Sequence, residues 1–203
     1  MKKTSYLLAL GLSLGLGTLA FAQEAAAPAA DDSADGTTGA LSTGEPVQAP
    51  DGPGSTYTAA TFDAWQQRCM RTEDGSDPCQ LYQLLKDAQG NNVAEISLFT
   101  LPPGQDAVAG ATVVAPLETL LTEALTISVD GANARRYPFT WCSQLGCVAR
   151  VGFTQAEVDA FKKGNKATVS IVPAAAPDQR VTLDLSLKGF TAGLEAISTA
   201  KAE

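Results

Sequence analysis

Nine short segments rich in β-branched and aromatic residues, each bounded by turn residues, lie between residues 62 and 187. They cover 62–70, 80–86, 93–100, 112–115, 125–129, 135–142, 147–153, 167–172 and 181–187. A succession of strands of this length, broken by glycine, proline and aspartate, fits a β-sandwich. The alternation is clearest in the last segment, where Val181, Leu183, Leu185 and Leu187 share one side and Thr182, Asp184, Ser186 and Lys188 the other. That strand has one buried face.

Two helices interrupt the pattern. Thr154 can cap a helix whose third residue, Glu157, completes a capping box, and Gly164 stops it. Val158 and Phe161 share its inner face, and Lys162 and Lys163 sit in the last turn, where cations complement the helix dipole. A second helix is expected over 190–197, packing Phe190, Leu194 and Ile197 on one end of the sheets, and a helical turn over 117–121.

The N-terminus sets the compartment. Lys2 and Lys3 precede an apolar run that ends in Ala20-Phe21-Ala22, the pattern of a secretory signal peptide cleaved between Ala22 and Gln23. The run is shorter than the ~20 apolar residues a bilayer span needs, and no second one follows, so no integral membrane span is expected. Residues 23–60 carry six acids and no base, with Tyr57 as the only aromatic. Such a segment buries too little to offset its ordering entropy and reads as a disordered acidic linker. Asp31, Asp32 and Asp35 within it lack the glycine and distal glutamate of an EF-hand loop. The expected organisation is therefore a signal peptide over 1–22, a linker over 23–60 and a folded domain over 61–198.

All four cysteines lie in the folded part. In an exported chain they imply two disulfides, with three connectivities open. Cys69 closes one strand and Cys79 opens the next, around a turn-rich loop. Cys142 and Cys147 flank the four-residue hairpin loop 143–146. A bridge needs Cα atoms within about 7 Å, and hairpins supply this directly, which favours Cys69 with Cys79 and Cys142 with Cys147. Neither spacing is the C-x-x-C of a zinc knuckle or redox pair.

The chain has no histidine and a net charge of -8. The acidity argues against nucleic acid as a partner, since that needs bases to displace phosphate counterions. The missing imidazole removes the usual general base and the commonest zinc ligand. Neither a cofactor nor a metal is indicated. Asp63, Asp130 and Asp184 remain as carboxylates for a hydrolase, but paired-carboxylate chemistry needs a defined separation that spacing cannot supply. Asp130-Gly131 reads as a hairpin turn and Asp184 as the polar face of the last strand. Trp65 and Trp141 are expected in the core, beside the half-cystines. Arg135, Arg136 and Arg150 could offer a basic patch for lipid phosphate or acidic glycan, against the plainer reading of a solvated strand face.

The motifs Trp65-x-x-x-Cys69, Cys79-Gln80-Leu81, Leu125-Thr126-Ile127-Ser128-Val129-Asp130-Gly131, Pro138-Phe139 leading to Cys142-x-x-x-Gly146-Cys147, and Leu187-Lys188-Gly189-Phe190 occur in order. Together they resemble the invasion-associated locus B (IalB) family. The resemblance implies an exported alphaproteobacterial envelope protein with an immunoglobulin-like antiparallel β-sandwich, no catalytic residue and a link to host-cell invasion. The expected function is non-enzymatic binding of an envelope or host-surface protein through strand edges or loops. The alternatives are a periplasmic carboxylate-dependent hydrolase and a periplasmic folding or assembly factor.

Overall fold

The computed structural model describes Gly44 and residues 51–199. The expected signal peptide, its expected Ala22/Gln23 cleavage point and most of the 23–60 segment lie outside these residues. Eleven strands form one antiparallel sheet that curls nearly into a barrel, so the two layers of a sandwich are the two halves of a single sheet. In chain order the elements are β1 Thr56–Phe62, β2 Trp65–Met70, β3 Cys79–Lys86, β4 Asn92–Thr100, β5 Ala109–Ala115, β6 Leu125–Val129, β7 Ala132–Tyr137, β8 Phe139–Ser143, β9 Gly146–Phe153, α1 Gln155–Lys163, β10 Lys166–Ile171, β11 Val181–Ser186 and α2 Phe190–Thr199. A 3-10 turn at Leu121–Glu123 precedes β6. The main path of the sheet runs β7-β6-β10-β11-β3-β4-β5-β9-β8, with β1 on β2 and β2 on β3.

Two of the nine expected segments run across a break: 62–70 starts at the last residue of β1 and continues into β2, and 135–142 spans parts of β7 and β8. Asp63, at φ 51, turns the chain between β1 and β2. Pro138 divides the other, since proline lacks the N–H that continues a ladder. The chain thereby passes from β7, which bonds to β6, into β8, which bonds to β9 at the opposite end of the path. The folded part also starts before Thr61. Residues 56–60 belong to β1 and pair with β2, contrary to the linker boundary at residue 60. The polar, threonine-rich segment is held as an edge strand by its ladder to β2 rather than by burial; every residue of β1 is exposed or half-buried.

β3 is the hub. One edge pairs with β4, and the other serves β2 over Cys79–Tyr82 and then β11 at Lys86. Where β2 gives way to β11, the side chain of Gln83 stands in for a ladder. Its Nε2 donates to the Ser186 carbonyl (3.0 Å), and its Oε1 accepts from the Ser186 N–H (2.7 Å). Trp65 Nε1 donates to the same carbonyl at 2.8 Å. Gln83 is only 5% exposed, a polar residue between buried Leu81 and Leu85.

The interior is closed by an aromatic chain. Trp65 meets Phe190 (5.6 Å between centroids), Phe190 meets Phe161 (5.5 Å), Phe161 meets Phe153 (5.0 Å), and Tyr137 meets Phe153 (6.2 Å). These rings join α1 and α2 to β2, β7 and β9. Gly189, at φ +80, lets the chain enter α2 against β1, because a Cβ there would sit 2.1 Å from the Phe62 carbonyl oxygen.

The expected capping box is present at α1, with Thr154 as cap and Gly164 ending the helix. Glu157 does more than cap. Its carboxylate accepts from the Thr154 N–H (2.9 Å) and hydroxyl (2.7 Å) and from the Tyr137 hydroxyl (2.7 Å), and it pairs with Arg135 at 3.1 Å. Burial opposes its ionisation, but these donors outweigh burial and hold its carboxyl below the ordinary carboxylate range. A depressed folded value gives stability that is complete above the unfolded pKa of about 4.3 and is lost as pH falls through the folded value. Glu157→Gln should therefore cost about 1–2 kcal/mol at pH 7, a gap that narrows below about pH 4. Denaturant titrations of both proteins at pH 7 and pH 3 check this.

Candidate functional site

Both disulfides clamp hairpins at directly opposed positions, Cys69–Cys79 across β2 and β3 and Cys142–Cys147 across β8 and β9. The second fixes an unusual tip. Gly146, at φ +139, packs so closely that a Cβ would meet the Ala115 carbonyl oxygen at 2.4 Å. The tip is thus pressed against the end of β5 while Leu145 projects into solvent at 90% exposure. By loop-closure arithmetic, replacing Cys142 and Cys147 together with serine should cost about 2 kcal/mol. Thermal or denaturant unfolding measures this, and non-reduced peptide mapping of the parent should show two local bridges and no free thiol.

Leu145 borders a shallow depression of about 440 Å³ with Leu84, Val93, Val114 and Pro116. Leu117, beyond Pro116, is 57% exposed. β8 bonds to β9 on one edge, and no described strand occupies the other. The three central residues of β8, Thr140, Trp141 and Cys142, are all exposed. Trp141 is 52% exposed and does not belong to the core, unlike Trp65 at 1%. The expectation that both rings pack inside fails for Trp141 because a bulge between Phe139 and Trp141 shifts the register of this short edge strand.

The remaining expected residues are dispersed. Arg135 and Arg136 lie on β7, separated by Pro138 from the stapled hairpin, and pair with Glu157 and Glu123. Arg150 lies on β9, opposite Thr112. These three do not form one patch on the hairpin, because the chain crosses the barrel at Pro138. Asp63 occupies the β1–β2 turn. Asp130 and Asp184 both meet Lys166. The Asp130 carboxylate accepts from the backbone N–H groups of Asn165 and Lys166, and Asp184 pairs with the Lys166 ammonium. Asp130 and Asp184 are thus engaged structurally. Among the described residues no group of three or more acids or cysteines is placed to hold a metal, and no helix is long and apolar enough to cross a membrane.

Sequence reasoning missed the exposed apolar tip. Its signal was available: leucine inside Ser143-Gln144-Leu145-Gly146, a loop where polar residues are the rule.

The fold and this surface define a small disulfide-stapled antiparallel β domain with an open edge and a rigid apolar tip. A sequence profile described as invasion associated locus B (IalB) protein matches residues 65–198. The chain belongs to the IalB family. Among its relatives are the Invasion protein B homologs of Brucella abortus strain 2308 and of B. abortus biovar 1 strain 9-941. Each is 28% identical over 145 residues, covering 71% of this chain and 81% of the relative. The crystal structure of invasion associated protein B from Bartonella henselae superposes with a TM-score of 0.60 at 20% identity, over 70% of this chain and 96% of the other. That likeness shows the shared fold.

Proposed function

We propose that this protein is an exported, non-enzymatic binding module of the bacterial envelope, which presents the stapled β8–β9 hairpin and the open edge of β8 to a partner protein. The observation that carries this reading is Leu145, held 90% exposed on a disulfide-fixed tip beside an apolar depression and an unpaired strand edge. A single exposed leucine is ordinary, but Leu145 joined to the apolar lining formed by Leu84, Val93, Val114 and Pro116 makes a contiguous patch of the kind found at contact surfaces. A tip fixed in advance loses little conformational freedom on binding, and an open edge can accept an extended partner strand. The partner is an envelope or host-surface protein, the second in keeping with the relatives' name. Export follows from the signal peptide, with the mature chain starting at Gln23.

The test is binding of the labelled mature protein to envelope vesicles from the producing organism and to host cells. Saturable, protease-sensitive binding to either should be abolished by Leu145→Asp combined with Trp141→Ser, while melting temperature is nearly unchanged. Undiminished binding by the double variant would refute the hairpin assignment. N-terminal sequencing of the native envelope fraction should begin at Gln23; retention of Met1 there would refute export.

A further inference from the structure

A second feature lies on the far side of Leu84, whose side chain also borders the depression beside the hairpin. The ladder registers place Gln66 and Arg68 of β2, Tyr82, Leu84 and Lys86 of β3, Asp184 and Ser186 of β11, and Lys166 of β10 on one outward face. Because β2 and β11 share one edge of β3 and diverge from it, this face carries an open groove of about 760 Å³ at the fork. That size lies within the range of small-ligand sites.

The charges in the groove are unevenly compensated. Asp184 pairs with Lys166. The Asp87 carboxylate is taken up by the N–H groups of Gln89 and Asn91 and by the Asn91 side-chain amide. Arg68 and Lys86 have no carboxylate partner among the described residues. Arg68 is nevertheless fixed. Its guanidinium lies 3.3 Å over the Tyr82 ring, and its Nε and Nη2 donate to Gln66 Oε1 at 3.1 and 2.9 Å. Tyr82 is in turn anchored through its hydroxyl, which donates to Glu95 at 2.8 Å. Two of the five guanidinium N–H donors are accounted for by Gln66, and the rest of the fork is held in place by neutral groups. A planar cation so oriented matches a carboxylate with little further ordering.

Lys86 lies four residues along β3 from Tyr82, about 13 Å away at the usual strand rise. Its end of the groove is mixed in charge, with Lys166, Asp184, Asp87 and Asn165 together. That end suits hydroxyl groups, which both donate and accept. It does not suit a phosphate dianion, which two nearby carboxylates would repel.

We propose that the groove binds a carboxylate-bearing oligosaccharide, with one carboxylate on the Arg68 fork and ring hydroxyls on the Asp184, Lys166 and Asn165 end. The whole mature protein is titrated calorimetrically with aldotriouronic acid, a trisaccharide with a single carboxylate, with its methyl ester, and with an acidic peptide of equal charge. Saturable binding of aldotriouronic acid is expected, with at least tenfold weaker binding after esterification. Arg68→Gln and Arg68→Lys should each lower affinity at least tenfold, since lysine keeps the charge but not the fork. Lys86→Gln should lower it severalfold, and Arg150→Gln, outside the groove, should leave it unchanged. Melting temperatures verify that each variant is folded; Lys86→Gln leaves the Arg68–Tyr82 stack intact. Absence of binding, equal binding of the ester, or indifference to both Arg68→Gln and Lys86→Gln would overturn the proposal. Preference for the acidic peptide with the same Arg68 dependence would overturn the saccharide assignment. Because the hairpin residues are untouched, failure here leaves the partner-binding reading standing, and the reverse also holds.

Discussion

Phe190→Ala should lower the unfolding free energy by about 3–5 kcal/mol, the largest effect of any single substitution considered. Phe190 is fully buried and contacts both Trp65 and Phe161. Truncation opens a cavity where α2, α1 and β2 meet. The loss has two parts, the transfer free energy of the ring and the contacts that Trp65 and Phe161 forfeit, because neighbours relax only partly around a void. The collapse is further limited because Gly189 fixes the entry of α2 beneath Phe62 and Gly193 packs that helix on Leu81. Denaturant unfolding followed by tryptophan fluorescence measures the change, and Trp65 is itself a reporter of the site. A loss below about 1 kcal/mol would mean that α2 is not integral to the core.

Gln83→Leu is nearly as informative, because it is apolar, similar in size and placed in an apolar row, so burial alone predicts a neutral or favourable change. The hydrogen bonds predict otherwise. Removing the carboxamide leaves the Ser186 N–H without its acceptor and its carbonyl with Trp65 alone, at the point where β11 has no other ladder to β3 beyond Asp184 and Lys86. Leaving a buried donor unmet costs about 1–3 kcal/mol, so a net loss of about 2–3 kcal/mol is expected. Amide exchange should speed up at Ser186 and along β11 before it does along β4 or β5. Gln83→Glu should also destabilise, since it keeps the acceptor but replaces the Nε2 donor and introduces a buried charge.

Particular residues show which parts of this fold were readable from the chain. The alternation in β11 and the Thr154/Glu157 pair depend on neighbours in sequence, and the structure keeps both. The IalB resemblance rested on five ordered motifs and coincides with the family match over 65–198. Pro138 lies inside the expected segment 135–142 although a proline between two strand-like runs is a sign of a break, because its consequence is a change of sheet partner and not a loop. Residues 56–60, the larger part of β1, fall in the expected linker because they carry almost no apolar period, and what holds them is the backbone of β2. Gln83 left a visible trace, a carboxamide in an apolar alternation, but its partner lies 103 residues away. The exposed site was hidden for a related reason. Trp141 beside a half-cystine resembles a core position, and only the bulge and the edge location of β8 turn it outward.

The proposed role of the stapled hairpin as a contact surface for another protein is tested most directly by replacing Leu145 with a photo-crosslinking amino acid in the full-length chain, expressed in its own organism. The same residue at Asp178, in the exposed loop before β11, serves as control. One discrete crosslinked adduct from position 145, lost when Trp141→Ser is added and absent from position 178, is the expected result. No adduct at 145 in envelope or host-contact conditions, or the same adducts from both positions, would contradict it.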